Sequence, residues 1–225
     1  MILHRAIAID GPAASGKSTL ARLLAKRLGL IMVNSGSMYR AVTWKVLQLG
    51  LNPNDRAAVV GALRMMELEC GIDGLQSTVS VDGVNPGEEL RSEDVNANVS
   101  AVAAVPEVRE CLVSLQRDYL KRGDVVMEGR DIGSVVFPET PYKIYVDADP
   151  SVREARREEI GEVDSVVARD KADSGRETAP LKIAEGATVL DTSGHTIETG
   201  LIAALEILSA QGFSIPGEIN KNRLT

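Results

Sequence analysis

Apolar residues along this chain fall into two kinds of run. Short, nearly uninterrupted runs occur at RAIAID (5–10), IMV (31–33), VVME (125–128), KIYVD (143–147) and TVLD (188–191). Runs of that length and β-branched content read as strands buried on both faces of a parallel sheet. Between most of them the apolar residues recur at three- and four-residue spacing. KSTLARLLAKRLG (17–29) ends on Gly29, and TIETGLIAALEILSAQG (196–212) ends on Gly212, so both read as helices with a glycine stop. Strands interleaved with helices predict an α/β fold, a five-stranded parallel sheet flanked by helices.

One section breaks the rhythm. STVSVDGVNPGEEL (77–90) alternates polar and apolar residues around Asp82-Gly83, a pair suited to a tight hairpin turn, and predicts a small antiparallel insertion. Helical patterns flank it at about 54–70 and about 107–121, with Pro106 placed to open the second. SIPGEINKNRLT at the end is polar and reads as a loose tail, and no internal repeat is visible.

Composition narrows the function. Hydrophobic residues make up 44% and charged residues 25% of 225 positions, enough for one sizeable core and ordinary for a water-soluble domain. No apolar run approaches the length that crosses a bilayer, and the N-terminus enters a strand without a signal-peptide pattern, so a cytoplasmic protein is expected. The net charge of −7 and 3% aromatic content argue against a nucleic-acid partner. Only His4 and His195 are present, and Cys70 and Cys111 form no metal-ligand spacing, which disfavours a histidine triad, a zinc site or a disulfide framework. An anionic ligand must therefore be held by local arginines.

GPAASGKS (11–18) fits G-x-x-x-x-G-K-[ST] at every fixed position and lies between a strand and a helix. Gly11 and Gly16 permit the tight turn, and the helix N-terminus adds its positive end to backbone N–H groups around a phosphate. Lys17 is expected to reach the β- and γ-phosphates and Ser18 to offer its hydroxyl to Mg²⁺. Gly11, Pro12, Ala13, Ala14, Ser15, Gly16, Lys17, Ser18 and Thr19 are thus the candidate ATP-binding residues. GTPases, motor ATPases and small-molecule kinases all use this loop. The guanine-reading N-K-x-D is missing, because the sole NK, in NKNR (220–223), lacks the aspartate.

The second ligand must then decide the function. VVME runs into GRDIGSVVFP (129–138), which puts Gly129, Arg130 and Asp131 at the C-terminal end of a buried strand, where open parallel sheets bind ligands. A surface arginine paired with its neighbouring aspartate is the plainer alternative. In ARDKADSGRETAPL (168–181), Arg169, Asp173 and Arg176 recur at helical spacing. That is either a solvated charged face or a cationic segment able to close over phosphates and exclude water.

Taken together, IAIDGPAASGKST, SGSMYRAVT, VSAVAAVPEVRECL, MEGRDIGSVVFP and RDKADSGRETAPL resemble, in order and spacing, the bacterial cytidylate kinases, which transfer a phosphoryl group from ATP to CMP or dCMP. The resemblance implies one kinase domain: a core of about 1–34, 106–152 and 182–213, a monophosphate-binding region of about 35–105, a lid of about 153–181 and a tail of 214–225. It implies that Ser35, Gly36 and Arg40 lie on the CMP side, with Arg40 on the phosphate, that Ser100, Arg109 and Asp131 read the base, and that Arg130 and Arg176 hold the acceptor phosphate. It sets Arg169 and Asp173 near the sugar. Lys17, Arg130 and Arg176 become the candidate catalytic residues, with Mg²⁺ as cofactor, ATP as co-substrate and a monomer expected. Tyr39 reads rather as a packing residue at the start of a helix than as a ligand contact.

The base chemistry is consistent with those residue types. Cytosine offers an N4 amino donor beside N3 and O2 acceptors, so a carboxylate can accept from N4 while Arg109 and Ser100 donate. Uracil reverses two of these positions and leaves the carboxylate facing an acceptor. Two departures from the family pattern stand out. Asn34 replaces a usual aspartate, keeping an acceptor oxygen but losing a charge, and the lid between REARREE and ARDK is shorter by about three helical turns at the standard rise per residue. Arg153, Arg156 and Arg157 precede that segment as candidates for ATP, Arg157 foremost, or as a basic face balanced by Glu154, Glu158 and Glu159. A kinase of another small acceptor, such as a UMP/CMP or shikimate-type enzyme, and a nucleotide-binding regulatory protein remain as alternatives.

Overall fold

The computed structural model describes residues 4–159, 175 and 181–216. Its centre is a sheet in which the strand order follows from burial. β1 (Ala6–Asp10) is buried at every position and lies between β5 (Val125–Gly129) and β6 (Tyr142–Asp147), both parallel to it. β2 (Ile31–Asn34) pairs with the far side of β5, and β7 (Thr188–Asp191) with the far side of β6. All five expected strands are present within a residue of their apolar runs.

Alternate residues of the strands feed different layers. Ile7 and Ile9 pack with Leu20, Leu24 and Leu28 of α1 (Lys17–Leu28) and with Ala204 and Leu208 of α7 (Ile197–Ala210). Ala6, Ala8, Val33, Val125 and Met127 face Val113 of α5 (Pro106–Asp118), Tyr119 and Ile132 on the other side. A sheet covered on both faces needs this unbroken apolar content. Among the described residues, no helix is long and apolar enough to cross a membrane.

The insertion differs from its expected position. The helix expected to run to about residue 70 stops earlier: α3 is Arg56–Met65, capped by the Asp55 side chain, and Leu68–Asp73 is a strand, β3. Its sequence LECGID alternates apolar and polar or small residues, and Leu68, Cys70 and Ile72 pack inward, so a period of two prevails over helical spacing. A two-residue turn at Gly74 and Leu75 leads to β4 (Gln76–Val81), antiparallel to β3. The expected Asp82-Gly83 turn exists, with φ of 51° and 76°, but it closes a single bridge between Val81 and Val84.

β4 also joins β2 in parallel at Met32–Gln76, so the insertion extends the main sheet to seven strands in the order β3-β4-β2-β5-β1-β6-β7. Helix α4 (Glu93–Ala103) occupies a segment in which the sequence had suggested no element. Ser92 caps it, and Val95, Val99 and Val102 fall on one buried face. It packs with α2 (Ser35–Gln48), α3 and α5 as a second apolar layer around Met38, Tyr39 and Leu112.

Candidate active site

The parallel strands end together, and the phosphate loop, the start of α2 and the Gly129–Asp131 segment lie at that edge. In register, Asp10 lies beside Gly129, and Asn34 beside Glu128. The phosphate loop leaves β1 at Gly11, where a Cβ would come within 2.0 Å of the Val146 carbonyl oxygen, so a side chain is excluded by the neighbouring strand. The loop closes at Gly16, in the left-handed region at φ 86°, which caps α1. Lys17 is buried at 7% exposure and its Nζ donates to the Pro12 carbonyl at 2.9 Å, lying back over the loop. Pro12, Ala13, Ala14, Ser15, Ser18 and Thr19 complete this stretch, from the end of β1 into the first turn of α1.

Opposite the loop stands a residue that the sequence reading had passed over. Ser18 Oγ donates to Glu128 Oε1 at 2.9 Å, and Glu128 is itself buried at the end of β5. Two hard oxygen donors side by side next to a phosphate loop match the ligand preference of Mg²⁺. The available signal was a carboxylate closing an otherwise apolar strand.

Two further contacts hold the loop from the side of α6 (Pro150–Glu159). Arg153 Nη1 donates to the Ala13 carbonyl at 3.2 Å, and Thr192 Oγ1, just past β7, donates to the Ser15 carbonyl at 2.9 Å. Arg156 donates to both the hydroxyl and the carbonyl of Thr192, at 3.0 and 2.8 Å. Arg157 is buried on the same helix. Arg153 and Arg157 are buried and Arg156 is partly buried, and Arg153 and Arg156 address the loop directly or through Thr192 rather than standing as a basic face balanced by Glu154, Glu158 and Glu159.

Across the sheet edge from the phosphate loop, SGS (35–37) is the first turn of α2. Asn34 caps that helix by accepting from the Ser37 amide at 3.1 Å, so the neutral amide still performs the capping task of an aspartate. Ser35 Oγ donates to the Glu128 carbonyl at 2.8 Å. A Cβ at Gly36 would lie 3.0 Å from Arg40 Nη1 and 3.2 Å from Asn34 Oδ1, which places the Arg40 guanidinium back over the start of the helix. At Gly129 a Cβ would meet Ser35 Oγ at 2.6 Å and Ile132 Cδ1 at 2.7 Å.

Asp131 forms an ion pair with Arg109 of α5, both side chains being 6% exposed. Arg109 also donates to the Ala103 carbonyl at 3.2 Å and lies 5.4 Å from the Tyr39 ring centre. Tyr39 thus packs, as one reading had it, and what it packs against is the buried guanidinium. Ser100 lies half-buried on α4 and Arg130 half-buried just past β5. Arg169, Asp173 and Arg176 lie outside the described residues.

The loop carrying Arg130 and Asp131 runs into a single π-helical turn, Ile132–Val136. The Asp10 carboxylate accepts from the Ile132 and Gly133 amides, each at 2.7 Å. At the other end Arg117 donates to the Val135 and Val136 carbonyls at 2.8 and 2.9 Å. Burial pushes the Asp10 carboxyl up to about 7, against the lowering effect of the two amides and of Arg130, with Asp131 adding repulsion.

The family model for cytidylate kinase matches residues 7–209. The chain is 41% identical over 216 residues to the cytidylate kinase of Corynebacterium efficiens, covering 91% of this chain and 94% of that protein. It is 40% identical over 208 residues to the cytidylate kinase of Clostridium botulinum, covering 88% and 94%. Against the bifunctional pantoate ligase/cytidylate kinase of Prochlorococcus marinus it is 40% identical over 228 residues, covering 95% of this chain but 44% of that longer protein.

Proposed function

Because the chain belongs to the cytidylate kinase family, we propose that it transfers the γ-phosphoryl group of ATP to the phosphate of CMP or dCMP, releasing ADP and CDP or dCDP. The observation that carries this reading is adjacency. The phosphate loop after β1 and the Gly129–Asp131 loop after β5 leave neighbouring strands at paired positions, Asp10 and Gly129, so a donor and an acceptor phosphate bound at the two loops would meet at one sheet edge.

In this reading Lys17 and the loop amides bind the ATP phosphates, and Arg153 and Thr192 keep the loop in shape. Ser18 and Glu128 would hold Mg²⁺, which would supply positive charge against the ATP phosphates. Ser35, Gly36 and Arg40 bind the CMP side. Arg40 and Arg130, with Arg176, suit the acceptor phosphate because a planar guanidinium can donate two hydrogen bonds to its oxygens. Ser100, Arg109 and Asp131 read cytosine, and Arg169 and Asp173 the sugar. An acceptor phosphate oxygen is already anionic, so transfer needs alignment and charge stabilisation rather than a general base. One chain supplies every residue so assigned, in keeping with a monomer, and both nucleotides are cytoplasmic metabolites, in keeping with that compartment.

The test is ADP production from ATP and Mg²⁺ with CMP, dCMP, UMP, AMP, GMP and shikimate offered separately. Strong turnover on CMP or dCMP, abolished in Lys17→Ala, is expected. Turnover mainly on another acceptor would refute the assignment.

A further inference from the structure

Asp10 is buried at 4% exposure and assigned no part in either nucleotide site. Its two carboxylate oxygens each take one backbone amide, Ile132 on Oδ1 and Gly133 on Oδ2. These are the first two amides after Asp131. A fork that binds consecutive amides fixes both the position and the rotation of the two peptide planes, and the first of those planes carries the Asp131 carbonyl. The loop is thereby held at the end that bears Arg130 and Asp131.

We propose that Asp10 is a positioning residue for acceptor recognition: by clamping the Ile132 and Gly133 amides it sets the direction of Asp131 toward Arg109, and with it the preference for cytosine over uracil. The inference rests on the reading of Asp131 as the base-reading carboxylate. Several details support it. The side-chain bonds of Asp10 go to the acceptor loop rather than to the phosphate loop that follows it in sequence. A Cβ at Gly133 would sit 3.3 Å from Asp10 Oδ2 and 3.2 Å from Lys143 Cδ, so the clamp is closely packed. The Lys143 ammonium turns away to the Pro138 and Glu185 carbonyls, at 2.7 and 3.0 Å. A carboxylate kept in so dry a place, where burial opposes its charge, serves geometry that an apolar side chain could not supply.

Asp10→Asn keeps the size and shape but turns one oxygen into an N–H donor facing an N–H donor. At pH 8, we expect the variant to lose at least about tenfold in kcat/KM for CMP, mainly through KM, and to narrow the CMP-over-UMP ratio by a similar factor. Binding of MgATP, followed by calorimetry, should change less than about twofold. Equal weakening of CMP and MgATP would reduce Asp10 to a structural residue, and an unchanged CMP-over-UMP ratio would overturn the proposal outright. A wild-type measurement stands beside it in case the variant folds poorly. By reciprocity of coupled equilibria, CMP should slow hydrogen exchange at the Ile132 and Gly133 amides and ATP should not; no response to CMP would count against the clamp. A wild-type chain that fails to phosphorylate CMP at all would instead refute the assigned activity.

Discussion

Removing both partners of the Arg109–Asp131 pair should destabilise the protein by clearly less than the sum of removing each alone. Both side chains are 6% exposed, so solvent cannot take over the charge left behind. Without Asp131, the guanidinium keeps the Ala103 carbonyl at 3.2 Å and the face of Tyr39, which are neutral partners. Without Arg109, the Asp131 carboxylate remains close to the Asp10 carboxyl, whose raised value already reflects their repulsion. Breaking a buried pair from one side costs about 3–5 kcal/mol. We therefore expect Asp131→Ala and Arg109→Leu each to lose about 3 kcal/mol or more, and the double variant to fall short of their sum by about 2 kcal/mol or more. Urea unfolding at pH 7 without nucleotide measures all four corners of the cycle. Additivity within about 0.5 kcal/mol would mean that the two charges do not depend on each other, and the account of a preformed base-reading pair would fail.

Thr192→Val preserves volume but removes the hydroxyl that donates to the Ser15 carbonyl and accepts from Arg156; we expect KM for ATP to rise at least about fivefold, with KM for CMP unchanged, in line with about 0.5–1.5 kcal/mol for each of the two lost hydrogen bonds. Equal effects on both substrates would show that Thr192 supports the fold generally. The Asp10 carboxyl, raised from 3.8 to about 7, contributes stability below the unfolded value that is lost as pH rises to about 7. Across pH 5 to 8 the wild type should lose about 2–3 kcal/mol relative to Asp10→Asn, measured by urea unfolding; parallel stability curves would refute the burial account.

The phosphate loop and the five central strands were legible because each is a local statement. A glycine-spaced turn before a helix, or a five-residue apolar run, names its own conformation from adjacent residues. The resemblance carried the acceptor residues as well, but not what they touch. Residues 66–70 were misread as helix because MELEC satisfies helical and strand spacing at once. What decides for the strand is pairing with β4, together with an apolar layer already waiting on one side.

The contacts at the site belong to the tertiary structure. Ser18 meets Glu128 across 110 positions of chain, Asp10 meets Ile132 across 122, and Thr192 meets Ser15 across 177. None of these pairs has a local signature, since each exists only because β5 and β6 flank β1. That order comes from helices packing on both faces of the sheet. The sequence by itself determined which chemical groups this protein owns and which stretches carry them; the crossing of the chain between non-consecutive strands decided which groups face one another, because a strand's neighbours are chosen by long-range burial and not by the residues next to it.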